Sequence, residues 1–212
     1  MNFLLSFILL LGSQSPIPHS TRVGDLYVDN FEVSNIHWQE YVFHRSKETN
    51  APSRDQLTPD SSNFWFPMPE HRYKPIVLVT YDQVLDYCKW RSKVVSEKLG
   101  KKVTFRLPTK AEWQRIAQYA IENDLKMIQR ELKKAKALVN KDSGQYSVTD
   151  ITSTKERLGN LFDNVSEMTQ ERGVAMGSNN HKLMDPKEAV EQSIAYDRPH
   201  PYLGFRCVAE VE

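Results

Sequence analysis

The chain opens on an apolar run, Phe3 to Leu11, broken only by Ser6 and followed by the small and turn-prone Gly12-Ser13-Gln14-Ser15. Nine residues are too few to span a bilayer, which takes about 20, but they suit the core of a secretory signal peptide. Met1-Asn2 supplies no basic side chain ahead of the run, and a buried first strand is the competing reading. The abrupt turn to polar sequence favours export. Cleavage is expected after Ser15 or Ser20, so residues 1–20 read as a signal peptide and 21–212 as a single domain in the periplasm or outside the cell.

Further along, hydrophobic spacing sets out a short list of elements. Residues 25–31 alternate as a strand. Ser34 is placed to cap a helix whose face is Ile36, Trp38, Tyr41 and Val42. Residues 46–75 carry Pro52, Pro59, Pro67, Pro69 and Pro75 and read as a long irregular loop, in which Phe64-Trp65-Phe66 must still find a place to pack. Ile76–Val79 reads as a short buried strand. Thr80 and Gln83 form a capping box ahead of Val84, Leu85, Cys88, Val94, Val95 and Leu99, and Gly100 ends that helix. Val103–Leu107 is a strand closed by Pro108, and Thr109 with Glu112 makes a second capping box. Trp113, Ile116, Ala117 and Ala120 then share a helix face. Leu125, Ile128, Leu132, Ala135, Leu138 and Val139 continue at helical spacing among lysines, with a break expected near Asn123-Asp124. That basic face reads as solvated rather than as a docking surface. Beyond Asn140 regular structure thins to short pieces at Val174–Met176 and Gly204–Val208.

Composition narrows the classes. Of 212 residues 40% are hydrophobic and 26% charged, and 28 Lys and Arg against 27 Asp and Glu leave a net charge of +1. A nucleic-acid binder or a membrane-surface protein usually shows a basic excess that is missing here. No apolar run is long enough to span a membrane once the signal is removed. Two cysteines, Cys88 and Cys207, are too few for a disulfide mini-protein or an all-cysteine zinc cage. Glycine-rich phosphate loops, HExxH and GxSxG are all absent. Glu112 and Asp82 are accounted for by capping and the start of a helix, and with the ligand role that the resemblance described below implies for Glu167, no carboxylate pair is left for acid–base work. So little regular structure calls for an added constraint, a metal or a disulfide.

Four collinear strings carry a family resemblance: Tyr27–Asn35 (YVDNFEVSN), Pro75–Trp90 ending YCKW, Phe105–Trp113 (FRLPTKAEW), and Asn160–Thr169 (NLFDNVSEMT) followed by Gly204–Cys207 (GFRC). Together they resemble the formylglycine-generating enzyme, or sulfatase-modifying factor, family over residues 25 to 208. The resemblance implies an α+β, C-type-lectin-like fold with much irregular chain. In wording, Asn164–Thr169 and Gly173–Ser178 are closest to the gliding-motility and type IX secretion branch of Bacteroidetes.

The resemblance also says which chemistry is missing. Active members bind copper through two cysteines near the C-terminus, and Cu(I) requires soft thiolates. Between Gly177 and Gly204 this chain has no cysteine. Cys88 and Cys207 match family positions joined as a disulfide, so a Cys88–Cys207 bridge is expected and copper is not. His181, Met184 and His200 show no spacing that argues for a metal. The resemblance implies calcium at Asn160, Asp163, Val165 and Glu167, through the Asn160 and Glu167 side chains and the other two carbonyls. Asn164-Val165-Ser166 is a formal glycosylation sequon inside that loop, and no sugar is expected there. The expected function is an exported, non-catalytic module acting in binding or as a component of a cell-envelope or secretion assembly, with another envelope protein as partner. The alternatives are an enzyme with an unrecognised site and a carbohydrate-binding, lectin-like module.

Overall fold

The structure, a computed structural model, describes residues 15–139 and 157–212; the apolar run at the start lies outside them. Strands β1 (Ser20–Val23) and β2 (Leu26–Asp29) form a hairpin, and the C-terminal strand of the chain pairs beside β2. Helix α1 (Asn35–Arg45) follows, and the loop after it contains the single-turn helix α2 (Arg54–Leu57). Helix α3 (Tyr81–Leu99) leads into β3 (Val103–Arg106), and α4 spans Lys110–Val139. The remainder is β4 (Ser166–Met168), β5 (Val174–Met176), α5 (Pro186–Glu191), β6 (Ile194–Ala195), β7 (Leu203–Gly204) and β8 (Val208–Val211). The fold class is α+β.

The first sheet has the order β1-β2-β8-β3, antiparallel throughout. Alternate residues of a strand face opposite sides, and both sides are covered. Ala209 and Phe105 face a core with Trp38, Tyr41, Val84 and Tyr87 of α1 and α3. Val28 and Val208 face a second core with Trp113, Ile116, Ala117 and Ala120 of α4. The sheet is therefore the middle of three layers. In the first core Trp38 stacks on Tyr87 at 5.3 Å, meets Phe205 edge-on at 6.0 Å, and donates its indole N–H to Leu57 O at 2.9 Å. The second sheet, β6-β5-β4-β7, is small, with β4 and β7 parallel.

Local chemistry explains the helix ends. Thr80 accepts from Gln83 N while Gln83 Oε1 accepts from Thr80 N, and Thr109 and Glu112 exchange the same two bonds. Gly100 ends α3 in the left-handed conformation at φ 63°, which costs glycine little. Asp124, at φ −134°, breaks α4 where the sequence predicts it. The outer edge of β3 is closed by α3 side chains: Val103 N donates to Ser96 Oγ and Phe105 N to Ser92 Oγ, both at 2.8 Å. Four residues of helix advance about 6 Å and two of strand about 6.7 Å, so the two rows stay in register.

Two expectations change. Ile76–Val79 is buried but not a strand: the extended chain there makes one isolated bridge, Ser34 to Pro75, and Leu78 sits at φ 61°. The loop after α1 contains α2, with a Ser53–Gln56 capping box whose spacing the proline-rich context conceals. At the start of the described chain, Ile17 is a core residue and Ser20 pairs with Asp29.

Candidate functional site

Two features of the C-terminal half hold the chemistry. The first is a buried charge network around Arg206, which is fully enclosed. Its Nε donates to both Glu167 oxygens at 2.8 Å and one Nη donates to Glu167 Oε1 at 2.6 Å. The remaining hydrogens go to carbonyls: Gly159 O at 2.8 Å, Asp29 O at 3.0 Å and Asn30 O at 3.3 Å. All five guanidinium donors therefore meet oxygen. Trp113 Nε1 adds a bond to Glu167 Oε2 at 2.8 Å. Beside the pair, Glu32 accepts from the side-chain amides of Asn160 at 3.1 Å and Asn164 at 2.7 Å. Both asparagines hold positive φ, 58° and 64°, a region asparagine tolerates better than most residues. Burial pushes the Glu32 carboxyl up to about 8, although Arg206 pulls it down. Asp163 rises to about 7, through burial first and the charge of Glu131 next. It makes no hydrogen bond or ion pair among the described residues.

This geometry tests the expected calcium set. Asn160, Asp163, Val165 and Glu167 do lie in one buried loop ahead of and into β4. The Glu167 carboxylate, however, is already saturated by Arg206 and Trp113. A cation reaching it would have to displace a charge-assisted bond, so the four residues do not fit calcium as they stand. The sequon is closed too, since Asn164 is wholly buried with its amide on Glu32. Gly177 pins the loop from outside: it sits at φ 79°, and an added Cβ would lie 2.8 Å from Leu161 O and 3.0 Å from the Trp113 ring.

The second feature is a cleft of about 510 Å³ over the small sheet. It is lined by Ser166 of β4, Asn179, the basic residues His181, Lys182, Arg198 and His200, and Tyr202. His181 stacks on Tyr202 at 5.4 Å, and His200 lies against the same ring at 5.8 Å. His200 Nδ1 accepts from Tyr202 N at 3.2 Å, so the ring hydrogen is on Nε2. The floor is internally bonded: Asn179 donates to Ser166 Oγ at 2.9 Å, and Ser166 donates to Gly177 O at 3.3 Å. Met184 is absent from this lining and is buried in the second core. No cysteine lines the cleft. Cys88 and Cys207 lie in the first core with their sulfurs 3.7 Å apart, and burial pushes the Cys207 thiol well above its usual value.

The family model for the sulfatase-modifying factor enzyme 1-like domain matches residues 9–211. The chain belongs to this family. Among solved structures, this sulfatase-modifying-factor-like chain is similar to CarF, with 13% identity, a TM-score of 0.51, and 91% of this chain and 88% of that one covered. PvdO from Pseudomonas aeruginosa is 14% identical at a TM-score of 0.49, with 87% and 80% covered. Treponema denticola variable protein 1 is 15% identical at 0.47, with 88% and 84% covered. Identities this low speak to the fold alone. No curated protein matches the chain. Sequence reasoning found the loop of this family domain but missed Glu32, Arg206, Lys182, Arg198 and Tyr202 as members of a site. Only the run Arg198-Pro199-His200-Pro201-Tyr202, two bases and a tyrosine spaced by prolines, offered a signal for the cleft.

Proposed function

We propose that the chain is an exported, non-catalytic member of the sulfatase-modifying factor family, which binds a cell-envelope partner through the cleft over the small sheet. One observation carries this reading: imidazole, phenol, ammonium and guanidinium groups line the cleft, while both cysteines lie in the core. Oxidising a cysteine by the family's copper chemistry needs thiolates open to the metal, and core thiols cannot supply them. The apolar run Phe3–Leu11 supports export, and cleavage after Ser15 is the version that keeps Ile17 in the core. The wording of Asn164–Thr169 supports the gliding-motility and secretion branch, and the partner is then another component of that assembly.

The test is direct. Purified protein, supplied with copper and oxygen, is incubated with a sulfatase-type cysteine peptide, and the product is read by mass spectrometry. Unchanged peptide is expected; an aldehyde product would overturn the non-catalytic reading. Sequencing the mature N-terminus from exported material checks the cleavage, with Pro16 expected first.

A further inference from the structure

The charges around the cleft say what kind of partner it takes. Four basic side chains, His181, Lys182, Arg198 and His200, face one acid, Asp197. Lys182 and Arg198 make no ion pair among the described residues, and both are exposed. Arg45, Arg91, Arg106, Arg172 and Arg206 each hold a carboxylate, while other exposed bases such as Arg54, Arg115 and Lys126 make no ion pair among the described residues either; what marks the cleft is that four bases share it with one acid. Beneath the bases the floor is fixed by the Asn179–Ser166–Gly177 bonds, so these side chains stand on a braced surface. The volume falls within the roughly 300–1,000 Å³ typical of ligand clefts. The wall includes Ile194 and Ala195 of β6, an edge strand of the small sheet. An edge strand offers unpaired main-chain groups to an extended peptide.

We propose that the cleft binds an extended acidic segment of a partner protein, its Asp or Glu carboxylates held by Lys182 and Arg198 and by the His200 Nε2–H. Between those contacts, the face of the His181–Tyr202 stack carries the peptide's apolar atoms. The proposal rests on the binding reading above and names the ligand class for the same site. Charge complementarity of this kind sets partner choice and on-rate more than raw affinity, so binding is modest in strength and weakened by salt.

The experiment uses the full mature chain and a fluorescein-labelled hexapeptide of alternating Glu and Gly, read by anisotropy. The expected result is saturable binding, weakened about tenfold or more by the paired reversal Lys182→Glu with Arg198→Glu. The isosteric Gln-Gly hexapeptide should bind at least as weakly as the Glu-Gly peptide does to that variant. Lys126→Glu, an exposed charge on α4 remote from the cleft, should leave affinity unchanged. Three results would each overturn the proposal: no binding of the acidic peptide, equal binding of the Gln form, or an equal loss with Lys126→Glu. Tighter capture of a sulfated disaccharide than of the peptide, competing at the same side chains, would do so too, by assigning the cleft to anionic sugar. Circular dichroism of the paired reversal checks that it folds, and Tyr202→Ala gives a second, uncharged perturbation expected to weaken binding. None of these outcomes touches the aldehyde assay, so the failure of this proposal and of the non-catalytic reading are separable.

Discussion

Arg206→Met puts the greatest strain on the reasoning about the buried network. The substitution keeps much of the side-chain length and removes six hydrogen bonds, three to Glu167 and one each to the carbonyls of Asp29, Asn30 and Gly159. Glu167, 1% exposed, would keep only the bond from Trp113. Removing one partner of a buried pair costs about 3–5 kcal/mol, because the other charge is left uncompensated. The Asp29 and Gly159 carbonyls also lose their guanidinium donors, while Asn30 O keeps Gly159 N at 2.8 Å; this places the case at the upper end, about 5 kcal/mol, a large part of the roughly 5–15 kcal/mol that holds a domain folded. At about 2–4 °C per kcal/mol for a chain of this size, the melting temperature should fall by about 10–20 °C.

Urea unfolding followed by tryptophan fluorescence measures the loss, with Trp113 a reporter inside the network. The double variant Arg206→Met with Glu167→Gln removes both charges and should be more stable than Arg206→Met alone, with a coupling of about 2 kcal/mol or more. Arg206→Lys keeps the charge but not the fork, and should recover little of the loss. A loss below about 1 kcal/mol, or simple additivity in the cycle, would refute the account. Calcium provides an independent arm. With Glu167 saturated by protein donors, excess calcium or chelator should leave the melting temperature unchanged. A calcium-dependent rise abolished by Glu167→Gln would show that the metal takes this carboxylate.

Two further outcomes follow from the geometry. Arg106 holds the Glu112 carboxyl down at about 2, against 4.5 in the unfolded chain; a depressed acid contributes stability above pH 4.5 and loses it as pH falls through 2. Glu112→Gln keeps an acceptor for Thr109 N but should flatten that acid limb, by about 1 kcal/mol after solvent screening, in urea titrations at pH 2.5 and 5.5. Protein recovered from an oxidising compartment should show no free thiol when denatured without reductant; the Cys88–Cys207 bridge then closes a span of 119 residues, worth about 4–5 kcal/mol in the chain-entropy model, and two titratable thiols would refute it.

What the sequence could disclose depended on distance along the chain. Capping boxes at Thr80–Gln83 and Thr109–Glu112 were legible because both partners sit within one turn, and the kink near Asp124 because the apolar stripe changes phase there. The extended run at Ile76–Val79 was misread because burial alone does not make a ladder; its neighbours supply side chains but only one backbone bridge. The loop Asn160–Glu167 was found from its wording, while its partners were not. Glu32 lies 128 residues from Asn160, Arg206 lies 39 from Glu167 and 177 from Asp29, and no local spacing ties such pairs together.

These distant pairs answer the question that the sparse secondary structure raises. The segments 157–168 and 200–207 hold only short strands, so most of their backbone oxygens have no ladder partner to satisfy them. Arg206 takes up one such carbonyl, Gly159 O, together with those of Asp29 and Asn30 at the end of β2, and ties both stretches to the Glu167 carboxylate. Glu32 does the complementary work on the donor side, collecting the amides of Asn160 and Asn164. One buried cation and one buried acid therefore do for this irregular chain what hydrogen-bond ladders do for a sheet. Since β4 begins inside that clamp and forms the floor of the cleft, the network also fixes the surface on which Lys182, Arg198 and His200 stand. Loosening Arg206 should then blur binding as well as stability, whereas reversing Lys182 and Arg198 should alter binding alone.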